Sequence, residues 1–380
     1  MDRAQRGVGR AVVAVVLVAL VAGALVGGFA DLHVYRYGGD AVLHQTRLYQ
    51  AGDPVTGYPF TYPPFAAVLM VPLAVVPGWT AAALWTAASA AALLAGIRLV
   101  LRTLGRPAPD LLVAALGVGA LALEPVWQTF SFGQINLILM LVVLVDLLGV
   151  ERRWSGVLVG VAAGIKLTPL VFVVLLVLVG RRTAAGRAAL AFAATVVLGL
   201  VVLPGSAASY WTDRLLDARR VGPPALAHNQ SVDGALTRLV GEPAPTWLWL
   251  VVAGPLAGSI VVVATVWWRR GDRLLATCLA AVATLVASPV SWSHHWVWAV
   301  PVALVLADRS RLAAVAWTAV FVARPMLWPP WGSGREYDWR WYEQLPGNAY
   351  LLAAFTLAVG CALALNRSGR VVVSPAGRRG

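Results

Sequence analysis

A carboxylate with the chemistry of a general base, Asp31, closely follows the apolar run 11–29. A carboxyl group at the boundary between hydrocarbon and an outer cavity is partly desolvated. Desolvation raises its pKa and lets it accept a proton near neutral pH. We therefore predict a catalytic role for Asp31. The alternative interpretation is an interfacial carboxylate that only ends a helix, and the nearby His33 and Tyr35 are equally compatible with an aromatic belt.

The only lysine of the chain, Lys166, stands between two apolar half-helices in Gly164-Ile165-Lys166-Leu167-Thr168-Pro169. An unpaired ammonium at membrane depth is costly, so such a residue marks a functional site by default. A phosphate at the lipid–water boundary would be a suitable partner. The N–H groups that open the next half-helix after Thr168 would add a dipole that favours an anion. We predict phosphate binding by Lys166 and Thr168; snorkelling of the lysine to the interface is the alternative.

Two further groups of polar residues have the composition of sugar-binding sites. Gln134 and Asn136, in a turn between apolar runs, offer amide donors and acceptors that can orient hydroxyl groups, with helix capping by Asn as the alternative. The sequence Ser291-Trp-Ser-His-His295 places two imidazoles beside tryptophans, which is typical of a platform for a sugar or an isoprenoid. Adjacent histidines on a helix point about 100° apart, so the pair is poorly placed to ligate one metal ion.

The composition indicates an integral membrane protein. Hydrophobic residues make up 59% of the 380 residues, charged residues make up 12%, and the mean hydropathy is +0.76. Repeated uncharged runs of bilayer-spanning length are solvated only by lipid, which excludes a soluble domain, a disordered segment and a nucleic-acid-binding domain. The formal net charge of +13 then belongs to the loops of a polytopic protein. Both cysteines lie in apolar runs and indicate neither a metal site nor a disulfide.

Apolar runs divide the chain into about 12 predicted transmembrane segments. Ten of these are single helices, and a hairpin of two short helices, 155–166 and 167–180, supplies the rest. The segment 64–77 is short and bounded by prolines, so we interpret it as a juxtamembrane or re-entrant helix. The single helices are predicted at 11–29, 79–102, 111–126, 135–150, 188–203, 247–268, 274–287, 296–307, 312–322 and 349–365.

The arginines predict the orientation. With a cytoplasmic N-terminus, twenty arginines fall on the inner side and nine on the outer side, in keeping with the positive-inside rule. Most carboxylates and all five histidines collect on the outer side, so we predict a site on the outer face of the plasma membrane. Residues 1–366 then form one transmembrane domain, and 367–380 form a basic cytoplasmic tail. The outer loops 30–78, 204–246, 288–295 and 328–348 carry the active-site face.

Six motifs occur in a fixed order along the chain. They are Asp31-Leu-His-Val-Tyr35, Phe60-Thr-Tyr-Pro-Pro-Phe65, Gly133-Gln-Ile-Asn136, Gly164-x-Lys166-x-x-Pro169, Asn229-Gln-Ser231 and Ser291-Trp-Ser-His-His295. Together they resemble the motifs of glycosyltransferase family 87, the actinobacterial polyprenol-phosphate-mannose-dependent α-1,2-mannosyltransferases. The resemblance implies a GT-C fold, which is an all-α polytopic membrane protein with a juxtamembrane helix in the first outer loop. It also implies transfer of mannose from a polyprenyl phosphate to a phosphatidylinositol mannoside or lipomannan-type acceptor.

The resemblance also implies roles for individual residues. Asp31 stands where the family keeps its essential aspartate and would be the base of an inverting displacement. Lys166 and Thr168 would bind the donor phosphate, and His294 or His295 would hydrogen-bond the phosphate or the sugar. Contacts to the sugar and the acceptor are assigned to the remaining polar residues of the motifs and to one preceding histidine, namely His33, Tyr35, Tyr62, Gln134, Asn136, His228, Asn229, Gln230 and Trp292.

The expected partners are membrane lipid, a polyprenyl-phosphate sugar donor and a glycolipid acceptor. No metal or other cofactor is expected, because a lipid phosphate leaving group does not require the cation that a nucleotide diphosphate needs. An arabinofuranosyltransferase of the same fold and a transporter or flippase for a lipid-linked saccharide are the alternatives. The transporter predicts binding without turnover, and it is disfavoured because no internal repeat is evident and the polar residues cluster on one side.

Overall fold

A computed structural model describes residues 28–149, 153–215 and 217–368, and this part of the chain is all-helical. The predicted all-α class is therefore confirmed. The extended pairing among these residues is limited to two isolated bridges, between Gly52 and Pro59 and between Asn229 and Trp292. The predicted first span, 11–29, and the predicted tail, 367–380, lie almost entirely outside the described residues.

The helices are numbered in chain order. They are α1 Ala30–Leu43, α2 Pro64–Ala74, α3 Gly78–Thr103, α4 Asp110–Ala120, α5 Glu124–Phe132, α6 Asn136–Leu148, α7 Val157–Ile165, α8 Leu170–Leu178, α9 Arg182–Val202, α10 Pro204–Ser209, α11 Val232–Val240, α12 Thr246–Arg269, α13 Arg273–Ala287, α14 Ala299–Arg309, α15 Arg311–Ala323, α16 Trp341–Gly347 and α17 Ala349–Ser368. Short 3₁₀ segments lie between them, including Ser293–Trp298 just before α14.

Four helices in the described ranges are long and apolar enough to cross a membrane, namely α3, α9, α12 and residues Ala349–Asn366 of α17. The pair α4 and α5 makes a fifth if its two members count as one broken span. The other predicted spans in these ranges form helices of 9 to 15 residues, which are too short to cross a bilayer alone. The number of about 12 spans is thus not confirmed.

The predicted single helix 111–126 is broken into two. α4 ends at Ala120, and α5 begins at Glu124 after a bend of 84°. Pro125 lies in the first turn of α5, where its missing N–H removes no hydrogen bond of this helix, whereas it could not donate to a helix that continued from α4. The apolar run continues through the break, which is why hydrophobicity alone predicted one helix.

The first predicted outer loop begins with a helix, α1, that packs against α2. The packing depends on Gly38 and Gly39, because a Cβ atom at Gly38 would lie 2.4 Å from the ring of Phe60. A Cβ atom at Gly39 would lie 2.5 Å from the carbonyl oxygen of Met70. The close approach fixes α1 relative to α2, so the residues at the start of α1 and those just before α2 form one rigid unit.

The two short helices predicted around Lys166 are confirmed as α7 and α8. Glycine recurs at a spacing of four in the segment before Lys166, at Gly156, Gly160 and Gly164, and these glycines let α7 lie directly on α9. A Cβ atom would lie 2.0 Å from the backbone of α9 at Gly156, and 2.1 Å from atoms of α9 at Gly160 and Gly164. The side chain of Asp146 accepts hydrogen bonds from the N–H groups of Gly156 and Val159 and so holds the start of α7.

Polar contacts join the predicted inner loops to one another, as in the ion pair of Arg106 with Asp308, 2.7 Å long, and the pair of Arg309 with Asp272. The predicted outer loops are joined in the same way, as in the hydrogen bond of 2.7 Å from Gln230 to the carbonyl oxygen of Gly347. The described residues therefore have two distinct loop-bearing ends. Which end faces the cytoplasm stays a prediction.

Candidate functional site

The first part of the site lies where α1 meets the turn between α5 and α6. Asp31 and Tyr35 are one helical turn apart, so their side chains share a face of α1. The hydroxyl of Tyr35 donates to Oε1 of Gln134 at 3.1 Å, and the hydroxyl of Tyr62 donates to the same oxygen at 3.1 Å. The two hydroxyls lie 3.0 Å apart. Oε1 of Gln134 thus accepts hydrogen bonds from both tyrosines. This orientation of the amide directs its NH₂ group towards Asp31, to which it donates a hydrogen bond.

The turn between α5 and α6 approaches α1 through Gly133. This residue has a φ of 70°, and a Cβ atom there would lie 2.9 Å from Cβ of Leu32. Glycine is therefore required for the approach of α1. The indole of Trp85 on α3 donates to the carbonyl oxygen of Gly133 at 2.7 Å and so fixes the other side of the turn.

Burial raises the pKa of the Asp31 carboxyl to about 6. A hydrogen bond from Gln134 and the positive charge of Lys166 limit this rise, because both favour the ionised form. The side chain is only partly buried, and it lies outside the helices that are long enough to span a membrane. A carboxylate with this pKa is ionised near neutral pH and can accept a proton from a hydroxyl group.

The second part of the site surrounds Lys166, in the break between α7 and α8. Its Nζ donates to Oδ1 of Asn136 at 3.0 Å and lies 5.6 Å from the ring centroid of Tyr62. Tyr62 therefore contacts Gln134 with its hydroxyl and Lys166 with its ring, which connects the two parts of the site. Burial lowers the pKa of Lys166 to about 8, and the negative charge of Asp31 opposes the decrease.

The two adjacent histidines lie in the 3₁₀ segment Ser293–Trp298. Nδ2 of Asn136 donates to the carbonyl oxygen of His294 at 2.9 Å, which ties this segment to the lysine. The ring centroids of His294 and His295 are 4.8 Å apart, with the planes nearly perpendicular. Burial lowers the pKa of both imidazoles, and the charge of Lys166 lowers it further, so both are neutral at pH 7. Nε2 of His294 is buried without a hydrogen-bond partner among the described residues.

A groove extends from this polar cluster along α6, α8 and α13. Its polar end consists of Asn136, Lys166, Thr168 and His295, and its walls are apolar. The empty space of the groove is about 480 Å³ including its open mouth. The apolar lining residues include Leu139, Met140, Val143, Phe172, Leu285, Val297 and Trp298. A ligand with an anionic head and a long apolar chain would match the polar end and the apolar walls of the groove.

Asn229 and Gln230, which the sequence assigned to sugar binding, are fully buried and bonded to backbone groups. Nδ2 of Asn229 donates to the carbonyl oxygens of Pro224 and Pro289, and its Oδ1 accepts from the N–H of Ser291. The side chain of Gln230 is bonded in the same way: its Nε2 donates to two backbone carbonyl oxygens, and its Oε1 accepts from one backbone N–H. This arrangement leaves no polar atom of either amide for a sugar, so their contribution here is to hold together the loops that we predict to be outside.

The remaining predicted residues are spread around the site. His33 lies two positions after Asp31 on α1, so its side chain points to another face of the helix. Trp292 packs against the loop that contains Gly222, where an added Cβ atom would lie 2.9 Å from the indole ring. The ring of His228 lies 5.3 Å from that of Trp331, in an edge-to-face pair. The structure thus unites Asp31, Tyr35, Tyr62, Gln134, Asn136, Lys166, Thr168, His294 and His295, and leaves His33 apart.

Sequence reasoning missed one residue that positions the site from a distance. The guanidinium group of Arg220 donates to the carbonyl oxygens of Phe60 and Thr61, at 3.2 and 2.9 Å, and lies over the ring of Tyr49. It thereby fixes the segment that carries Tyr62. No pattern in the sequence distinguishes Arg220 from the other outer arginines, because its partners are backbone atoms about 160 residues away.

Within the described ranges, no three His, Cys, Asp or Glu side chains converge in a way that could hold a metal ion. The site instead offers one carboxylate, one ammonium group and two neutral imidazoles. These groups can accept a proton, stabilise an anion and hydrogen-bond a polar ligand. Whether the chemistry requires a metal stays a prediction.

The apolar helices and the enclosed polar site define an integral membrane protein. The chain belongs to glycosyltransferase family 87, whose model matches residues 60–289. It is similar to a polyprenol-phosphate-mannose-dependent alpha-(1-2)-phosphatidylinositol pentamannoside mannosyltransferase of Mycobacterium tuberculosis (strain CDC 1551 / Oshkosh). The two are 39% identical over 356 residues, which cover 86% of this chain and 79% of the relative.

Two further relatives have similar names. The pentamannoside mannosyltransferase of Mycolicibacterium smegmatis is 35% identical over 90% of this chain and 86% of its own length. A polyprenol-phosphate-mannose-dependent alpha-(1-2)-phosphatidylinositol mannoside mannosyltransferase of Mycobacterium tuberculosis H37Rv is 35% identical over 87% of this chain and 83% of its own length. No solved structure matches the chain.

Proposed function

We propose that this protein transfers mannose from a polyprenyl-phosphate-mannose donor to a phosphatidylinositol mannoside or lipomannan-type acceptor and forms an α-1,2 linkage. The proposal rests on the series of contacts from Asp31 through Gln134 and Tyr62 to Lys166, which lies beside an apolar groove in a member of this family. The names of the relatives support the donor, the linkage and the acceptor class.

Each part of the site has a role in the proposed reaction. The acceptor hydroxyl oxygen attacks C1 of the mannose, and its proton passes to the carboxylate of Asp31. The bond between C1 and the phosphate oxygen breaks, and the electron pair leaves with the polyprenyl phosphate. Lys166 stabilises the negative charge that grows on this phosphate. A neutral His294 or His295 donates a hydrogen bond to the phosphate or the sugar. A β-linked donor then gives an α-linked product by inversion.

The groove supports a donor that carries a lipid chain. Its polar end contains Lys166 and Thr168, and its walls are formed by apolar side chains of α6, α8 and α13. We place the donor phosphate at the lysine and the first isoprenoid units along the apolar walls. Burial of these units contributes to affinity, at about 25 cal/mol for each Å² of apolar surface removed from water.

The membrane arrangement belongs to the same proposal. We propose a GT-C fold of about 12 transmembrane segments, several of them broken, with α2 as the juxtamembrane helix and the site on the outer side. The four long apolar helices and the short helices between them are compatible with this arrangement.

Incubation of the purified protein with polyprenyl-phosphate-mannose and phosphatidylinositol mannosides tests the activity. The expected product is an acceptor heavier by one hexose and sensitive to an α-mannosidase. A polyprenyl-phosphate arabinose donor in a parallel reaction tests the arabinofuranosyltransferase alternative, which predicts a gain of one pentose instead. Binding of the donor with no product from either reaction would favour the transporter.

The same assay tests the metal requirement. We expect transfer to persist in excess EDTA, because Lys166 and not a divalent cation stabilises the leaving phosphate. The control is the enzyme with added Mn²⁺ or Mg²⁺, which we expect to have the same rate. Loss of transfer in EDTA with recovery on addition of manganese would contradict this mechanism.

A further inference from the structure

The last outer loop contains four tryptophans, and the structure separates them by environment. Trp339 is buried against Arg238, with ring and guanidinium 5.4 Å apart. Trp328 and Trp341 are mainly exposed, as expected of an aromatic belt at the membrane surface. Trp331 differs from these three, because it is 41% exposed and its ring meets the imidazole of His228 edge to face.

A fully buried carboxylate joins the two backbone segments that carry these rings. Oε1 of Glu336 accepts the N–H of Ala227, directly before His228, and the N–H of Gly332, directly after Trp331. The two distances are 3.3 and 2.9 Å. One oxygen atom thereby joins two loops that are about 100 residues apart in the chain. The pair formed by His228 and Trp331 is therefore built into the fold and does not result from chance contact of two mobile side chains.

The same pair lies next to the catalytic region. The bridge between Asn229 and Trp292 is antiparallel, and its register places His228 beside Ser293, one residue before His294. The imidazoles of His228 and His294 are close enough to interact electrostatically. His294 also has a buried Nε2 atom without a partner in the part of the chain that the structure describes. The pair formed by His228 and Trp331 therefore adjoins the segment that carries His294.

We propose that Trp331 and His228 form a subsite for a mannose residue of the acceptor glycolipid, at the outer rim of the site. The exposed part of the indole offers a surface on which the apolar face of a sugar can stack, and the imidazole offers hydrogen-bonding groups for the hydroxyls. The subsite rests on the proposed function, and it names the part of the acceptor that is recognised, namely the sugar headgroup and not the lipid.

Acceptor binding and transfer are measured separately on the purified protein in nanodiscs. The probes are a phosphatidylinositol mannoside with a terminal α-mannose and, as the sugar-free control, phosphatidylinositol. For Trp331→Ala, we expect the Kd and KM of the mannoside to rise roughly tenfold, as for loss of an aromatic residue that the bound ligand covers. The KM of the donor and the binding of phosphatidylinositol stay unchanged. Trp331→Phe, which keeps a stacking ring, recovers most of the affinity.

The matched control is Trp341→Ala, an exposed tryptophan of the same loop whose ring packs on Tyr342 and not on a histidine. We expect less than about twofold change in this variant. An unchanged mannoside Kd in folded Trp331→Ala would overturn the subsite, as would an equal loss in Trp341→Ala. If the wild type binds the mannoside through Trp331 but transfers no hexose, the subsite stands and the proposed function fails.

Discussion

At the scale of single residues, Asp31 and Lys166 have pKa values that define a window of pH. The pKa of Asp31 is raised to about 6 and that of Lys166 is lowered to about 8, in both cases chiefly by burial. The proposed base is active when Asp31 has lost its proton, which occurs above pH 6. The proposed phosphate-binding group is active when Lys166 keeps its proton, which holds below pH 8.

We therefore expect a bell-shaped dependence of kcat/KM on pH, with a maximum between about 6 and 8. Below the window the value should fall about tenfold per pH unit, because Asp31 becomes protonated. Above the window it falls because Lys166 becomes neutral. Bound donor phosphate favours the charged lysine, so the alkaline limb of kcat should lie at higher pH than that of kcat/KM. Initial rates at low and saturating donor concentration distinguish the two profiles. An acid limb that persists in Asp31→Asn would mean that another group is the base.

The two residues also differ in the kinetic step that they affect. Asp31→Asn keeps the size of the side chain but cannot accept the proton, so we expect kcat to fall roughly 10²- to 10⁴-fold with little change in donor affinity. Lys166→Met removes a charge that contacts phosphate before and during the reaction. We expect donor affinity to fall roughly 10- to 100-fold, together with turnover. Steady-state kinetics and a donor-binding assay on monodisperse protein measure both.

Lys166→Arg is the matched control for the lysine, because it keeps the charge and should retain more donor affinity than Lys166→Met. Near-normal turnover in Asp31→Asn would exclude Asp31 as the base and direct attention to Glu124 or His294. Unchanged donor binding in Lys166→Met would exclude the phosphate role.

Residue chemistry explains which parts of the site were predictable. Lys166 is the only lysine in a chain rich in arginine, and Asp31 closely follows an apolar run, so both are distinguished by type and position. Asn229 and Gln230 have the same chemical groups as Gln134, but their partners are backbone atoms of distant loops. Amide composition does not reveal which partners the fold will supply. The burial of these residues was therefore accessible only from the structure.

At the scale of elements, glycines determine how closely the helices that carry the site approach one another. Gly38 and Gly39 bring α1 against α2, and Gly160 and Gly164 of α7, with Gly156 just before it, bring α7 against α9. The first contact fixes Asp31 relative to Tyr62, and the second fixes Lys166 at the end of α7. A spacing of four between Gly156, Gly160 and Gly164 is visible in the sequence, and it is typical of close helix packing in membranes. The partner helix is not visible there.

Gly39→Ala tests this packing. The added methyl group would lie 2.5 Å from the carbonyl oxygen of Met70, so α1 and α2 must separate. We expect the free energy of unfolding to fall by roughly 1–3 kcal/mol, and transfer activity to fall because Asp31 moves away from Tyr62. Gly186→Ala is the control in helix α9, since nothing lies within 4 Å of its added Cβ and alanine favours a helix. Thermal unfolding in detergent measures both variants; equal midpoints would contradict the packing argument.

Helix existence was predictable from hydrophobicity, but helix continuity was not. The run 111–126 is apolar apart from Glu124, and yet the chain bends by 84° between α4 and α5. Glu124 is buried and accepts a hydrogen bond from the hydroxyl of Tyr350 on α17, 3.1 Å away. A carboxylate at this position requires a partner from the far end of the chain. The bend places Glu124 beside Tyr350. It therefore depends on a tertiary contact that the hydrophobicity of residues 111–126 does not reveal.

At the scale of the whole molecule, the polar contacts divide the loops into two groups. Ion pairs and arginine–carbonyl hydrogen bonds join the loops that carry most of the arginines, as in Arg269 to the carbonyl oxygen of Leu178. The candidate site lies with the other group, near the contact of Gln230 with Gly347. The sequence predicted this division from charge alone, because arginines and carboxylates collect in different loops. Contacts within each group agree with it, whereas the direction of the chain across the membrane requires an experiment.

Single cysteines in a variant without the two native cysteines test this direction in intact cells. Val55 is 70% exposed, and Ser333 is also exposed, and both lie in loops that we predict to be outside. Thr103 and Thr183 are exposed at the arginine-rich end. We expect a membrane-impermeant maleimide to label Val55→Cys and Ser333→Cys from outside, and to label Thr103→Cys and Thr183→Cys only after the cells are lysed.

Val55 and Ser333 lie at one end of the molecule, and Thr103 and Thr183 lie at the other, although the two members of each pair are far apart in the sequence. If the two loop groups lie on opposite sides of the membrane, each pair must label together, since a transmembrane domain cannot divide residues of one end between two compartments. Labelling of Thr103 and Thr183 in intact cells, with protection of Val55 and Ser333, would invert the orientation and place Asp31 and Lys166 on the cytoplasmic side. A mixed result within a pair would instead contradict the two-ended arrangement itself. A detergent-solubilised sample, in which all four cysteines should react, controls for burial of the thiol.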